Sequence, residues 1–524
     1  MASPALTIRN FTVYPITLKH ISRFQDPNSR QSNASVFSFG PKNSTSPAPA
    51  ASALGEHAKS YRDEEVDVRL LAFEAYTIPS TTSDSDDNPQ IGTTTIRLTL
   101  ETHDGVRHRI DINPSYTQKA SRPLTPLSPN PSITLSSLYH PANTISHLTI
   151  HTHHSYDLSK WMSHLPSTLP LSALSIPGTH NSHTHYRALP SVRCQVVDLK
   201  TQLSHGIRFL DIRVQPAHAT DVSKKDLYLV HGAFPISLTG PKYLAPLLET
   251  CYSFLDENPG ETILISLKRE GVGNATDEHL SRVLERHYFR PNRSKWYFPP
   301  LADPGSPEGI RIPYLGDVRG KLVLLRRYTA HSEEPPSSSP PSPSPSPSSS
   351  QPTHPHPPPP PTLPSLPGLA ATHWPHNATH SPPTPTFPIS LQDYCDILHP
   401  ASIPLKLSHA TSHIARCAAN TAFVPGVNTD EKNPCPPHAL YLNFLSGSNF
   451  WRRELAKQDR GNEIGLIRRA SPKGDMSTGV IIMDNVGEGG DWDLVRLIVG
   501  CNMGVLMKMG IVGAGGNGNG TKDN

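Results

Sequence analysis

Cysteine is scarce in this chain of 524 residues, with six in all, at Cys194, Cys251, Cys395, Cys417, Cys435 and Cys501. None forms a C-x-x-C pair, and so low a density excludes a disulfide-held scaffold. The thiols are expected to be reduced, in a cytoplasmic protein. Net charge is nearly missing too, at +3 with histidine neutral. That balance speaks against nucleic acid as a partner and against a polybasic membrane anchor. Long apolar runs are absent, and nothing approaches the roughly 18 residues of a membrane-crossing helix. The opening "MASPALTIRNFTVYP" lacks a basic segment followed by an apolar one, so no secretory signal is expected. The closing "GNGTKDN" carries no lipidation signal.

Proline, by contrast, is abundant at 57 residues, while apolar residues make up 35%. Part of the chain is therefore not packed core. The concentration peaks within 329–372, in "EEPPSSSPPSPSPSPSSSQPTHPHPPPPPTLPSLPG". So pure a Pro/Ser tract reads as a disordered or polyproline insertion, and 331–367 could dock a proline-binding module. Residues 1–160 hold short β-branched or alternating runs such as "ALTIRNFTVYPITL", "TTTIRLTLET" and "ISHLTIHTH", which predict a β-rich N-terminal domain, a small sandwich. From 165 onward, apolar strands alternate with helical stretches: "ALSIPG", "IRFLDIRV", "DLYLVHG", "TILISLKRE", "KLVLLRRY", "ALYLNFLSG" and "GVIIMDNV". This rhythm predicts an α/β fold with parallel strands, and six or seven of them favour a closed TIM-type (β/α) barrel. The barrel is expected in two parts, 165–328 and 373–510, either side of the insertion, with a Gly-rich flexible tail at 511–524. The G-x-G-x-x-G in that tail has no helix to follow it and is set aside.

Barrel enzymes place their chemistry at the C-terminal ends of strands. His180 follows "LSIPG", and His231 follows "LYLV". Asp211 and Arg213, two apart in "IRFLDIRV", share one face, as do Lys268 and Glu270 in "ILISLKRE". Asp484 closes "VIIM". Among 28 histidines a lone one is more often structural, so the weight falls on the combination at matching strand ends. Two histidines with cations suit phosphodiester cleavage: one takes a proton from the attacking hydroxyl, the other gives one to the leaving oxygen, and Arg or Lys stabilises the phosphoryl oxygens. A metal cluster in "GTHNSHTHY" is the rival, since His180, His183 and His185 could share an ion. Against it, no cysteine is expected beside it and no H-E-x-x-H occurs.

In this order the residues resemble the catalytic X region of phosphatidylinositol-specific phospholipase C. The resemblance rests on "LSIPGTHNSHT", "QLSHGIRFLDIRV", "LYLVHG", "NPGETILISLKRE" and "DVRGKLVLLRRY", continued by "SLQDYCDIL", "LYLNFLSGS" and "GVIIMDNV". It covers about 165–328 and 373–505 and is nearest to the bacterial-type, metal-independent branch. It implies cleavage of a phosphatidylinositol-type lipid at a membrane surface, giving diacylglycerol and a cyclic inositol phosphate, by a monomer in peripheral membrane contact. It implies His180 as general base on the inositol 2-hydroxyl and His231 as general acid for the diacylglycerol oxygen. Arg213 would bind the phosphate, Asp484 would orient His180, and Lys268 and Asp211 would be active-site neighbours. Asn181 stands where the bacterial motif has aspartate, which is expected to weaken the positioning of Arg213. The calcium-dependent branch has asparagine there, but needs acidic residues where this chain has Arg213 and Lys268, and two cations repel an ion held by oxygen ligands. No metal or cofactor is expected. The alternatives are a catalytically weak lipid- or partner-binding protein on the same barrel, and a phosphodiesterase for another head group.

Overall fold

The structure is a computed structural model. It describes chiefly residues 5–25, 54–80, 94–113, 122–152, 158–300, 312–330, 366–397, 402–420, 439–447 and 477–508, with short breaks inside these ranges. Nearly all of the nominated proline-binding segment 331–367, and the whole tail 511–524, lie outside the described residues.

The first ten strands are β1 (Ala5–Asn10), β2 (Ile16–Gln25), β3 (Arg62–Leu70), β4 (Ala75–Ile78), β5 (Thr94–Thr102), β6 (Arg107–Ile112), β7 (Arg122–Pro123), β8 (Thr125–Pro126), β9 (Leu135–His140) and β10 (Ile145–Thr152). They form two five-stranded sheets, ordered β4-β1-β10-β9-β7 and β3-β2-β5-β6-β8. Alternation drives this arrangement, because one face of each strand is apolar. Leu6, Ile8, Leu148 and Ile150 of one sheet share a core with Ile16, Leu18, Leu98 and Leu100 of the other. Phe11, just past β1, instead joins the core of the second half.

That half is built on β11 (Ile176–Thr179), β12 (Phe209–Pro216), β13 (Leu227–Leu229), β14 (Ile263–Arg269), β15 (Leu322–Arg326), β16 (Leu369–Ala370), β17 (Ile389–Gln392), β18 (Leu440–Phe444) and β19 (Val480–Met483). Eight of them form one parallel sheet, ordered β16-β15-β14-β12-β11-β19-β18-β17. Its strands are nearly continuous apolar runs, such as "VIIM" and "LVLL", because helices cover the outer face and the inner face is core as well. Gly178 in β11 permits the close approach of β12, since a Cβ there would lie 2.8 Å from that of Phe209.

Two expectations are corrected. The sheet is not a closed barrel: among the described residues β16 and β17 are not hydrogen-bonded to each other. β16 has only two residues, and the edge of β17 is taken by the intervening segment, since Leu391 and Ser381 exchange backbone hydrogen bonds at 2.8 and 3.0 Å. And "LYLV" is not a parallel strand of the sheet. β13 runs antiparallel to β12, with Val214 opposite Leu229.

At the N-terminal end of the parallel sheet, Arg208 and Glu261 form an ion pair at 2.9 Å with both side chains fully buried. The remaining polar capacity of the pair is filled. Arg208 donates to the carbonyls of Leu203, Ile207, Leu158 and Ser159. Glu261 accepts from the backbone N–H groups of Met162 and Ser163 and from the Ser163 hydroxyl. This network pins the segment that enters the sheet at 158–163 to the starts of β12 and β14.

Candidate active site

The opposite end of the sheet gathers the polar chemistry. His180 caps β11, and its backbone N–H donates to the Met483 carbonyl of β19 at 3.0 Å. Its ring Nδ1–H donates to Asp484 Oδ1 at 2.9 Å. Asn181 then turns the chain with φ +43°, a left-handed conformation that asparagine tolerates better than most residues. Its Nδ2 lies 3.0 Å from His180 Nε2, and Arg213 Nη2 lies 3.5 Å from the same nitrogen. Both are donors, so the hydrogen bonds complement a His180 that carries its proton on Nδ1 and a lone pair on Nε2.

His231 reaches this site by the β12–β13 hairpin. β12 runs on to Pro216, and β13 returns antiparallel, with Val230 N–H donating to the Arg213 carbonyl at 3.1 Å. The return delivers His231 over the strand ends. Its Nδ1 donates to the Val192 carbonyl at 2.9 Å, and its ring stands edge-on to that of His180 with centroids 6.5 Å apart. His231 is therefore placed by a hairpin rather than by the end of a parallel strand.

Arg213 and Asp211 lie on β12 with their side chains on one face. The Arg213 guanidinium is held by Glu270 at 2.5 Å and Asp211 at 3.3 Å. Glu270 also takes Lys268 Nζ at 3.1 Å and the Gly232 N–H at 2.7 Å, so it ties β14 to the loop that carries His231. Asp211 is fully buried and is shared with Arg327 at 3.4 Å. Glu270 and Asp211 hold the guanidinium from two sides, with Asn181 on the His180 side. All seven nominated residues, His180, Asn181, Asp211, Arg213, His231, Lys268 and Asp484, thus meet at one end of the sheet.

The electrostatics follow from burial and these pairs. Burial raises the Glu270 carboxyl, but Arg213, the Gly232 N–H and Lys268 together hold it down at about 2. Burial likewise raises Asp211, yet Arg213 and Arg327 keep it below the usual carboxylate range. Burial opposes charge on Arg213, and Asp211 and Glu270 more than reverse this, so the guanidinium is a fixed cation. Burial also opposes a proton on His180, but the Asp484 carboxylate and Cys194 outweigh it and hold His180 well above the ordinary histidine range. His231 is raised as well, with Cys194 overcoming burial. His183, one turn on from His180, is different in kind. Burial pushes it down to about 4, and its Nε2 bonds the Val230 carbonyl at 2.9 Å, which braces the β13 hairpin.

Four residues that the sequence reading did not nominate complete the site. Glu270 was legible, because it shares a strand-end face with Lys268. Arg327 sits at the end of β15, where the same strand-end logic reaches it, and it stacks on Trp374 at 3.7 Å. Gln195 and Cys194 carried no signal, since both lie in an irregular loop. Gln195 Nε2 donates to the carbonyls of His180 and Met483, at 2.7 and 3.0 Å, and so locks the two strand ends together. Cys194 overturns the reading that no cysteine lies near "GTHNSHTHY". The loop folds back so that its sulfur accepts from Asn181 Nδ2 at 3.5 Å, and the Cys194 carbonyl accepts from the Asn485 N–H at 2.7 Å. Burial and Asp484 push this thiol up, but His180 and His231 pull it down further, to about 6.

Fold and site together define an α/β protein that gathers two histidines around a buried arginine at the C-terminal end of a parallel sheet. Residues 167–328 match the family described as phosphatidylinositol-specific phospholipase C, X domain. A protein of Listeria monocytogenes named 1-phosphatidylinositol phosphodiesterase is 35% identical over 187 residues, which cover 34% of this chain and 52% of that protein. The human PI-PLC X domain-containing protein 1 is 28% identical over 152 residues, 23% of this chain and 45% of the relative. The chain thus spans about half the length of the curated relatives it matches. The solved phosphatidylinositol-specific phospholipase C from Listeria monocytogenes superposes with a TM-score of 0.44 at 22% identity, over 66% of this chain and 99% of that one.

Proposed function

We propose that this site cleaves phosphatidylinositol-type lipids to diacylglycerol and a cyclic inositol phosphate. The observation that carries this reading is the matched pair of imidazoles. Each Nδ1 is tied down, His180 to Asp484 and His231 to the Val192 carbonyl, which turns both Nε2 atoms away from those anchors, and that of His180 lies beside Asn181 and the Arg213 guanidinium, where substrate would replace these contacts. His180 Nε2 takes the proton from the inositol 2-hydroxyl, and the oxygen attacks phosphorus. The bond from phosphorus to the diacylglycerol oxygen breaks, and His231 gives that oxygen its proton. Arg213, held rigid by Asp211 and Glu270, binds the phosphoryl oxygens and stabilises the charge that grows on them. Lys268, partly exposed at the rim beside Glu270, adds a second positive charge.

The rim supports peripheral contact with a lipid surface. Leu189, Phe234, Leu238, Tyr243 and Val272 are large exposed apolar side chains on the loops after β11, β13 and β14, at the same end as the histidines. Leu238 is 62% and Val272 75% exposed. Among the described residues no helix is long and apolar enough to cross a membrane. The test is mass spectrometry of products from vesicles that contain several phospholipid classes. Diacylglycerol and cyclic inositol phosphate from inositol lipids alone are expected, with vesicle binding weakened in Leu238→Asp and Val272→Asp. Turnover of choline lipids at an equal rate, or of no inositol lipid, refutes the proposal.

A further inference from the structure

His180, Cys194 and Asp484 each offer a ligand atom, and the three atoms lie within 4.8 Å of one another. They are a nitrogen, a sulfur and a carboxylate oxygen, the donor set that zinc prefers. All three come from rigid positions. His180 and Asp484 close adjacent strands, paired through Thr179 and Met483. Cys194 is anchored by its own backbone, with its N–H donating to Thr184 Oγ1 at 3.0 Å and its carbonyl accepting from Asn485. A tetrahedral zinc ion with Zn–S near 2.3 Å and Zn–N near 2.0–2.1 Å needs ligand atoms about 3.3–3.6 Å apart. With no two of the three atoms more than 4.8 Å apart, the group reaches that geometry by a contraction of at most about 1.5 Å. The charges also match, because a thiolate and a carboxylate neutralise a dication. The nearby cation, Arg213, is already neutralised by Asp211 and Glu270.

We infer that this trio is an inhibitory zinc site, in which the ion displaces the proton shared by His180 and Asp484 and occupies the base. The binding itself stands on the three side chains. Only its inhibitory consequence rests on the proposed role of His180. Zinc-loaded protein would have neither a free His180 lone pair nor Asp484 to orient it, so turnover would fall and return when a chelator removes the ion. Among the described residues no other cysteine falls in such a group of three ligand atoms. Cys251, Cys417 and Cys501 are buried, and Cys395 lies in the loop after β17.

The experiment has a spectroscopic arm and a kinetic arm. Cobalt(II) added to the full chain should produce a sulfur-to-cobalt charge-transfer band, absent in Cys194→Ser and weakened in Asp484→Asn. Zinc should inhibit cleavage of phosphatidylinositol vesicles reversibly, and Cys194→Ser should need at least about tenfold more zinc for the same inhibition, since even changes outside the ligand shell cost metal sites 10- to 100-fold in affinity. Cys194→Ala gives the same comparison if serine still binds the ion. A thiolate–cobalt band in a protein that cleaves no inositol lipid would support the zinc site while sinking the proposed reaction. No band, or zinc inhibition unchanged in both cysteine variants, overturns the zinc site and leaves the reaction standing.

Discussion

Changing Asp484 to asparagine keeps the side chain's size but removes the charge from the oxygen that holds His180 Nδ1 at 2.9 Å. The amide can then donate to Nδ1, which forces the ring proton onto Nε2. Nε2 already faces two donors, Asn181 Nδ2 at 3.0 Å and Arg213 Nη2 at 3.5 Å, so the flipped tautomer meets opposition and offers no lone pair to the substrate. A positioned general base is worth on the order of 10²–10⁴-fold, or about 2.7–5.4 kcal/mol of barrier. The expected kcat loss is of that size, with KM little changed, because the proton moves in the transition state. The pH dependence adds a second readout. His180 must be neutral to act, and its pKa is raised above the ordinary histidine value by Asp484 and Cys194 against burial. The acidic limb of kcat/KM therefore lies above about 6.5 in the natural protein, and in Asp484→Asn it moves to lower pH. The same linkage touches stability. A raised folded pKa stabilises fully below the unfolded value and is lost as pH rises through the folded one, so the natural protein loses this contribution on the alkaline side and the variant does not. The Asp484 side chain is 25% exposed, so the thermal midpoint should move by only a few degrees. The assay is steady-state turnover of phosphatidylinositol vesicles from pH 5 to 9. A variant with kcat within about threefold of the natural protein and an unmoved acidic limb would refute this account of the dyad.

The remaining predictions are independent of one another. His231→Ala should lose on the order of 10²–10⁴-fold in kcat on the natural lipid and recover strongly on a substrate with a good leaving group, whereas His180→Ala should not; equal recovery of both would show the roles to be misassigned. Turnover should survive EDTA, or rise if traces of zinc are removed, because Arg213 and Lys268 face the site where an oxygen-ligated ion would need carboxylates; loss with chelator and rescue by Ca²⁺ would contradict this. Glu261→Ala should destabilise the fold by about 3–5 kcal/mol, since it leaves Arg208 buried and unpaired, and should lower Tm by roughly 6–20 °C; a loss under about 1 kcal/mol by calorimetry would mean that water or another group replaces the carboxylate.

Much of this protein is written locally. The runs "IRFLDIRV", "ILISLKRE", "LVLLRR" and "VIIM" are strands because β-branched and leucine-rich stretches bury both faces of a parallel sheet, and that property needs no partner to be read. Once the strands are placed, period-two alternation puts Asp211 with Arg213 and Lys268 with Glu270, and the strand-end rule brings His180 and Asp484 to one mouth, although 304 residues separate them. Three things were decided only in the folded chain. The direction of β13 depends on how the turn after Pro216 returns, and a three-residue run reads the same in either direction. Closure of the sheet fails at β16 and β17 because Ser381, between them in the chain, takes the edge of β17 at Leu391, a pairing of two segments that neither announces alone. And Cys194 and Gln195 reach the site from a loop, where no periodicity marks a side chain as facing inward and where backbone hydrogen bonds to distant strands set its position.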